Sequence, residues 1–183
     1  MNWLSIAWRK RDDGIDFYQT PTWAVYKLLE LEKFDWLILE PCSGAGAISK
    51  VLEKAWYTVY SQDIRTDIWV YWEKWNDFLN DFQDKTENII TNPPFKYAQA
   101  FIEKSLEIST WKVCIFLKLS FLESIWRYEF FKNTPLKKVY VFCKRVNPYP
   151  ENIEKPKNSW TIAYAWYIWE KWYKWEPKID WII

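Results

Sequence analysis

Short apolar runs alternate with stretches of helical spacing along most of this chain, and that alternation fixes what it can build. The runs are "LILEP" (37–41), "YTVYSQD" (57–63), "ENIITNPP" (87–94) and "KVCIFLKL" (112–119). Between them, "TPTWAVYKLLELE" (20–32), "GAISKVLEKA" (46–55) and residues 97–108 carry apolar residues at three- and four-residue spacing, as amphipathic helices do. Thr20 or Thr22 is placed to cap the first helix. "FLESIWRYEFF" (121–131) reads as a further helix, "KKVYVFC" (137–143) as a strand and "TIAYAWYIWE" (161–170) as a long final strand. Strands that alternate with helices form a mostly parallel sheet with helices on both faces. Ligands of such sheets bind beyond the carboxyl ends of the strands.

Those ends carry the chain's polar chemistry. The first run is followed by "EPCSGAGAI", in which Gly44 and Gly46 permit a tight turn and the next helix offers free backbone N–H groups. An ordinary strand-to-helix turn is the plainer reading. The second run ends at Asp63. A carboxylate about twenty residues past a glycine turn suits ribose hydroxyls, whereas alone it would cap a helix. "NDF" (76–78) follows, with Asp77 either accepting from an adenine amino group or capping a turn, and Phe78 able to pack on a ring. The run at 87–94 closes on Asn92, Pro93, Pro94 and Phe95. Two prolines stop sheet pairing and fix the backbone. They serve as a strand stopper, or as a bracket holding two acceptors, the Asn92 side chain and the Pro93 carbonyl, toward an amino group. Such acceptors draw a conjugated amine toward tetrahedral geometry and free its lone pair. Phe95 would stack on the base, worth about 1–3 kcal/mol.

Composition removes several alternatives. The chain of 183 residues has no histidine and three widely spaced cysteines, Cys42, Cys114 and Cys143. A structural zinc site, a Ser-His-Asp triad and a Cys-His pair are excluded, and no metal is expected. Reduced cysteines suit a cytoplasmic location. No apolar run approaches the roughly 18 residues of a membrane span, and the N-terminal charges follow the first apolar patch instead of preceding it, unlike a secretory leader. A net charge of +1 is modest for a nucleic-acid binder, and the short basic clusters at 9–11, 137–138 and 144–145 read first as solvated faces.

There are 16 tryptophans and only 3 glycines. At an average usage of about 7%, roughly 13 glycines are expected. Tryptophan occupies places where glycine chemistry is wanted: Trp56 at a helix-to-strand junction, Trp72 and Trp75 in a polar connection, Trp172 and Trp175 in a charged turn. Either the protein is truly tryptophan-rich, or its UGA codons are glycine in the organism and have been translated as tryptophan, and the placement favours the second. Trp36, Trp111, Trp126 and Trp160 join the five above as expected glycine sites, while Trp23, Trp166, Trp169 and Trp181 sit in apolar patterns and are expected to be genuine. Trp3, Trp8 and Trp69 fall between the groups.

With these motifs in hand, the chain resembles the class I S-adenosylmethionine-dependent methyltransferases of the amino-group type, and is similar to small phage and prophage DNA adenine methylases. "NPPF" matches that family's catalytic signature, "EPCSGAGAI" its cofactor loop, and "DFYQTP" (16–21) its N-terminal motif. The resemblance implies a Rossmann-like sheet of seven strands, mostly parallel with an antiparallel last strand. It implies one catalytic domain over 16–183 behind a flexible segment, 1–15. The catalytic residues it implies are Asn92, Pro93, Pro94 and Phe95. S-adenosylmethionine would be held by Tyr18, Thr20, Pro21, Glu40, Pro41 and Cys42, by Ser43, Gly44 and Gly46, and by Asp63, Asp77 and Phe78. The partner it implies is DNA with a flipped or unpaired adenine, and a monomer is expected. The glutamine amide of a protein and bases of RNA are the alternative substrates, and a non-catalytic binding module is the third reading. In the resembled family the places of Trp56, Trp75, Trp126 and Trp172 are held by glycine.

Overall fold

The computed structural model describes residues 18–66, 70–71, 74–146 and 162–183. The segment 1–15, Asp16, Phe17 and Trp3, Trp8, Trp69, Trp72 and Trp160 lie outside the described residues. Eight strands form one sheet. They are β1 (Leu37–Glu40), β2 (Thr58–Asp63), β3 (Lys74–Trp75), β4 (Thr86–Thr91), β5 (Ser109–Lys118), β6 (Leu136–Phe142), β7 (Tyr164–Glu170) and β8 (Lys178–Ile182). Their order is β3-β2-β1-β4-β5-β7-β6-β8. Every described pairing is parallel except those of β7, which runs antiparallel between β5 and β6. Seven strands thus follow the expected plan. The antiparallel strand is not the last, however, because β8 adds an edge parallel to β6.

The helices are α1 (Thr22–Leu31), α2 (Ser49–Lys54), α3 (Ala98–Ile108) and α4 (Tyr128–Asn133). One face of the sheet is covered by α1 and α2 through Ala24, Val25, Leu28, Val51 and Leu52, packed on Ile38, Ile90, Phe116 and Trp166. The other is covered by α3 and α4 through Phe101, Ile102, Ile108 and Phe130, packed on Ile89, Ile115, Val139 and Trp169. The expected threonine cap of α1 does not form: Pro21 is the N-cap residue and no side chain bonds the first turn. The helix expected over 121–131 is broken into two short 3-10 turns and α4. Ser124, extended at φ −179°, accepts the Trp126 N–H at its hydroxyl, 3.2 Å. Such a local bond competes with helix continuation.

The tryptophans divide sharply. Trp166 and Trp169 are fully buried, and their indole N–H groups donate to the Ala24 carbonyl (2.9 Å) and the Thr134 hydroxyl (3.2 Å). Trp23 packs edge-on against Phe142. Trp36, Trp56, Trp126, Trp172 and Trp175 are instead 73–92% exposed. Trp111 is half-buried. Trp181, expected to be genuine, is also exposed, on β8. The three cysteines are free thiols.

Candidate active site

β1 and β4 are neighbours, while the chain proceeds from β1 toward β2 and β3 on the other side, so the sheet changes winding direction between β1 and β4. A crevice opens beyond the strand ends at such a point. Here it is a cavity of about 320 Å³, within the usual range for small-molecule sites.

The loop after β1 builds one wall. Gly44 and Gly46 adopt φ of 51° and 77°, values other residues reach only with strain. A Cβ on Gly46 would lie 2.6 Å from the Tyr71 ring, and the Tyr71 N–H donates to the Gly44 carbonyl at 2.7 Å. Gly46 is therefore a packing glycine beneath Tyr71, while Gly44 lines the cavity. Asp63, at the end of β2, accepts from the Gly44 N–H through Oδ2 (2.8 Å) and from the Arg65 N–H through Oδ1 (2.9 Å). Its carboxylate is thus aimed before any ligand arrives. Glu40 is fully enclosed, and its carboxylate accepts from the Ser49 N–H (2.7 Å) and the Ser49 hydroxyl. Burial pushes this carboxyl well above the usual carboxylate range, against the lowering effect of the Ser49 bonds, and the Asp63 and Glu53 charges add to the rise.

The opposite wall comes from β4 and the N-terminal stretch. Asn92 lines the cavity and donates Nδ2–H to the Tyr18 carbonyl at 2.7 Å. No described group donates to its Oδ1. Thr20 and Ser43 also line the cavity, and their buried hydroxyls have no hydrogen-bond partner among the described residues. Orphaned buried hydroxyls fit the charged amino-acid end of S-adenosylmethionine, and the aimed Asp63 carboxylate fits ribose hydroxyls.

Of the expected site residues, the structure brings Tyr18, Thr20, Glu40, Pro41, Cys42 and Ser43 to this cavity, together with Gly44, Asp63, Phe78, Asn92 and Pro94. Pro21, Gly46, Asp77, Pro93 and Phe95 are not among its lining. Both Asp77 oxygens are engaged in a local turn, with Leu79 N–H at 3.1 Å and Asn80 Nδ2 at 2.7 Å. Phe95 stacks on Tyr18 (5.3 Å, 23°) and leans on Tyr164 (6.1 Å). Arg65, Lys96 and Tyr97 line the cavity without having been singled out in the sequence. Each lies next to a motif, and adjacency was the only available signal.

Comparison with solved structures finds the same overall fold. The fold aligns with a protein described as a class I S-adenosylmethionine-dependent methyltransferase from Listeria monocytogenes (TM-score 0.61, 14% identity, 90% of this chain, 65% of that one). It aligns with one described as an RNA methyltransferase from Pyrococcus horikoshii (0.57, 17%, 82% and 81%). It aligns also with a modification subunit described for a type I restriction enzyme of Vibrio vulnificus (0.62, 15%, 98% and 50%). The chain has the class I methyltransferase fold. It spans less than two thirds of the Listeria and Vibrio chains. No family model and no curated protein matches the sequence. Within the class I methyltransferase fold the Gly44 loop, Asp63 and Asn92 stand at the ends of β1, β2 and β4. No described helix is long and apolar enough to cross a membrane.

Proposed function

We propose that this chain transfers a methyl group from S-adenosylmethionine to the exocyclic amino group of adenine in DNA. One observation carries the reading: Gly44 and Asn92 line a single cavity, and Asn92 is turned so that its carbonyl oxygen is the uncommitted atom. Asp63, Thr20 and Ser43 would hold the cofactor, which when bound supplies an electrophilic methyl on a sulfonium. Asn92 Oδ1 accepts an amino hydrogen and localises the nitrogen lone pair. Pro93 and Pro94 fix the backbone so that this orientation is prepaid. The proton released from the amine passes to water, so no strong base is required of a site without histidine. The class I fold neighbour named as a restriction-enzyme modification subunit favours DNA; the one described as an RNA methyltransferase keeps RNA as the alternative.

The test is transfer of labelled methyl to unmethylated DNA. Asn92→Ala is expected to lower the rate by about 10²–10³-fold while calorimetric cofactor affinity stays within about twofold. Normal turnover by the variant refutes the role of Asn92. Label appearing in RNA or in a protein glutamine, and not in DNA, reassigns the substrate. Cofactor binding without transfer to any acceptor leaves a binding module.

A further inference from the structure

Lys118 closes β5 at the same end of the sheet as Glu40, Asp63 and Asn92. It is half-buried. Its Nζ lies 4.4 Å from the Phe95 ring centre and 5.7 Å from that of Tyr18. Tyr18 is the residue whose carbonyl pins Asn92. No described carboxylate pairs with Lys118. Ring faces stabilise an ammonium, but they do not neutralise it, and partial burial of an unpaired charge is unfavourable. Lys112, toward the other end of the same strand, shows the contrast: its Nζ is paired with Glu32 at 2.7 Å and donates to the Lys33 carbonyl at 2.8 Å. Lys96, exposed and lining the cavity, flanks Phe95 on its sequence neighbour.

We infer that Lys118 seats a phosphate of the target nucleotide, so that the substrate of this site is a polynucleotide and not a free base or a protein amide. The inference rests on reading the cavity as a methyl-transfer site. The rival explanation is that Lys118 only clamps the Tyr18–Phe95 stack. A clamp affects stability and the Asn92 geometry; a phosphate contact affects salt dependence.

The experiment is fluorescence anisotropy of a labelled, mixed-sequence single-stranded oligodeoxynucleotide, with S-adenosylhomocysteine present, across a salt series. Lys118→Gln is expected to weaken binding and to reduce the log–log salt slope by about 0.7, the value for one contact on a single strand. Lys118→Arg keeps the slope. Lys54→Gln, which removes an exposed charge at the end of α2, leaves it unchanged. An unaltered slope in Lys118→Gln overturns the inference, as does absence of oligonucleotide binding by the wild-type chain. A Lys118-dependent slope without methylation of any polynucleotide sinks the proposed reaction and spares the phosphate site. Methylation of adenine in DNA with an unaltered slope in Lys118→Gln does the reverse, and methylation of a protein amide by a chain that ignores oligonucleotides overturns both.

A different observation carries a second inference. Trp56 is the one described non-glycine residue with positive φ, 68°. It follows α2 and its cap residue Ala55. Its N–H donates to the Glu53 carbonyl at 3.0 Å and the Tyr57 N–H donates to the Leu52 carbonyl at 3.1 Å. This bond pair is the Schellman helix stop, whose left-handed position is normally glycine. Nothing in the packing compensates, since the ring is 92% exposed. The geometry points to glycine at position 56 in the native protein, with tryptophan entering through a reassigned codon. Trp56→Gly is expected to raise the folded-to-unfolded ratio by a factor of about 5–30, and Trp56→Ala to give little of that gain, because alanine keeps the Cβ. Equal gains refute the conformational argument. The gene is expected to read UGA at Trp56 and UGG at Trp166; UGG at both, or an intact native mass with all 16 tryptophans of the sequence, refutes the codon argument.

Discussion

A buried carboxyl at the floor of the cavity should report its environment through pH. Glu40 is held above the usual carboxylate range chiefly by burial. The folded chain therefore binds this proton more tightly than the unfolded chain does. The stability it contributes is complete below about pH 4.3 and is lost as pH rises through the folded value. Glu40→Gln keeps an acceptor for Ser49 and removes the titration. The stability advantage of glutamine over glutamate, measured by urea unfolding, is expected to grow from about pH 4.5 upward by at most about 1.4 kcal/mol per pH unit and then level off. A difference that stays flat across this range contradicts the assignment. At this scale the sequence showed which residue types meet: Asn92, Gly44 and Asp63 were identifiable from their places after strands. It could not show which oxygens are already committed. Asp77 and Phe95 carry suitable chemistry, yet a local turn takes both carboxylate oxygens of one, and Tyr18 and Tyr164 pack the ring of the other.

Among the elements, the Glu32–Lys112–Tyr140 cluster ties the chain just beyond α1 to β5 and β6. Lys112 Nζ meets Glu32 Oε2 at 2.7 Å, and the Tyr140 hydroxyl donates to Glu32 Oε1 at 2.8 Å. All three are buried. Lys112→Met leaves a buried carboxylate without its cation and is expected to cost about 3–5 kcal/mol of unfolding free energy. The double variant Lys112→Met/Glu32→Gln, which removes the stranded charge and keeps an acceptor for Tyr140, is expected to regain part of the loss. A double variant no more stable than the single one would show that the charge is not the cause. Element types were largely readable because strand and helix periods differ, and apolar faces declare themselves in each. β8 was not readable. Of its five residues only Ile182 is buried, so the apolar Ile179 and Trp181 face outward and give no inward alternation. Its place is set by backbone pairing with β6, a distant partner. The break at Ser124 was equally hidden, since Arg127 satisfies the freed carbonyls of Phe121 and Glu123 with its side chain at 2.8 and 2.9 Å.

For the whole molecule, the sheet separates two tasks. Cavity-lining groups gather at the carboxyl ends of β1, β2 and β4, where loops set backbone N–H groups and side-chain oxygens around the space. The paired lysine and glutamate lie toward the other end of β5, where charge is neutralised within the protein. The mostly parallel plan follows from strand–helix alternation, and the winding reversal between β1 and β4 then dictates where a crevice opens. Overall topology was thus the most legible level and atomic commitment the least.

The reversed direction of β7 has one more effect. β6 finishes at Phe142 and β7 begins at Tyr164, paired with Lys118, so both ends of the link between them face the cavity side. Extra residues inserted there would begin and end beside the cavity without disturbing a single rung of the ladder, so under the proposed reaction this link is the place where a reader of DNA sequence would be grafted.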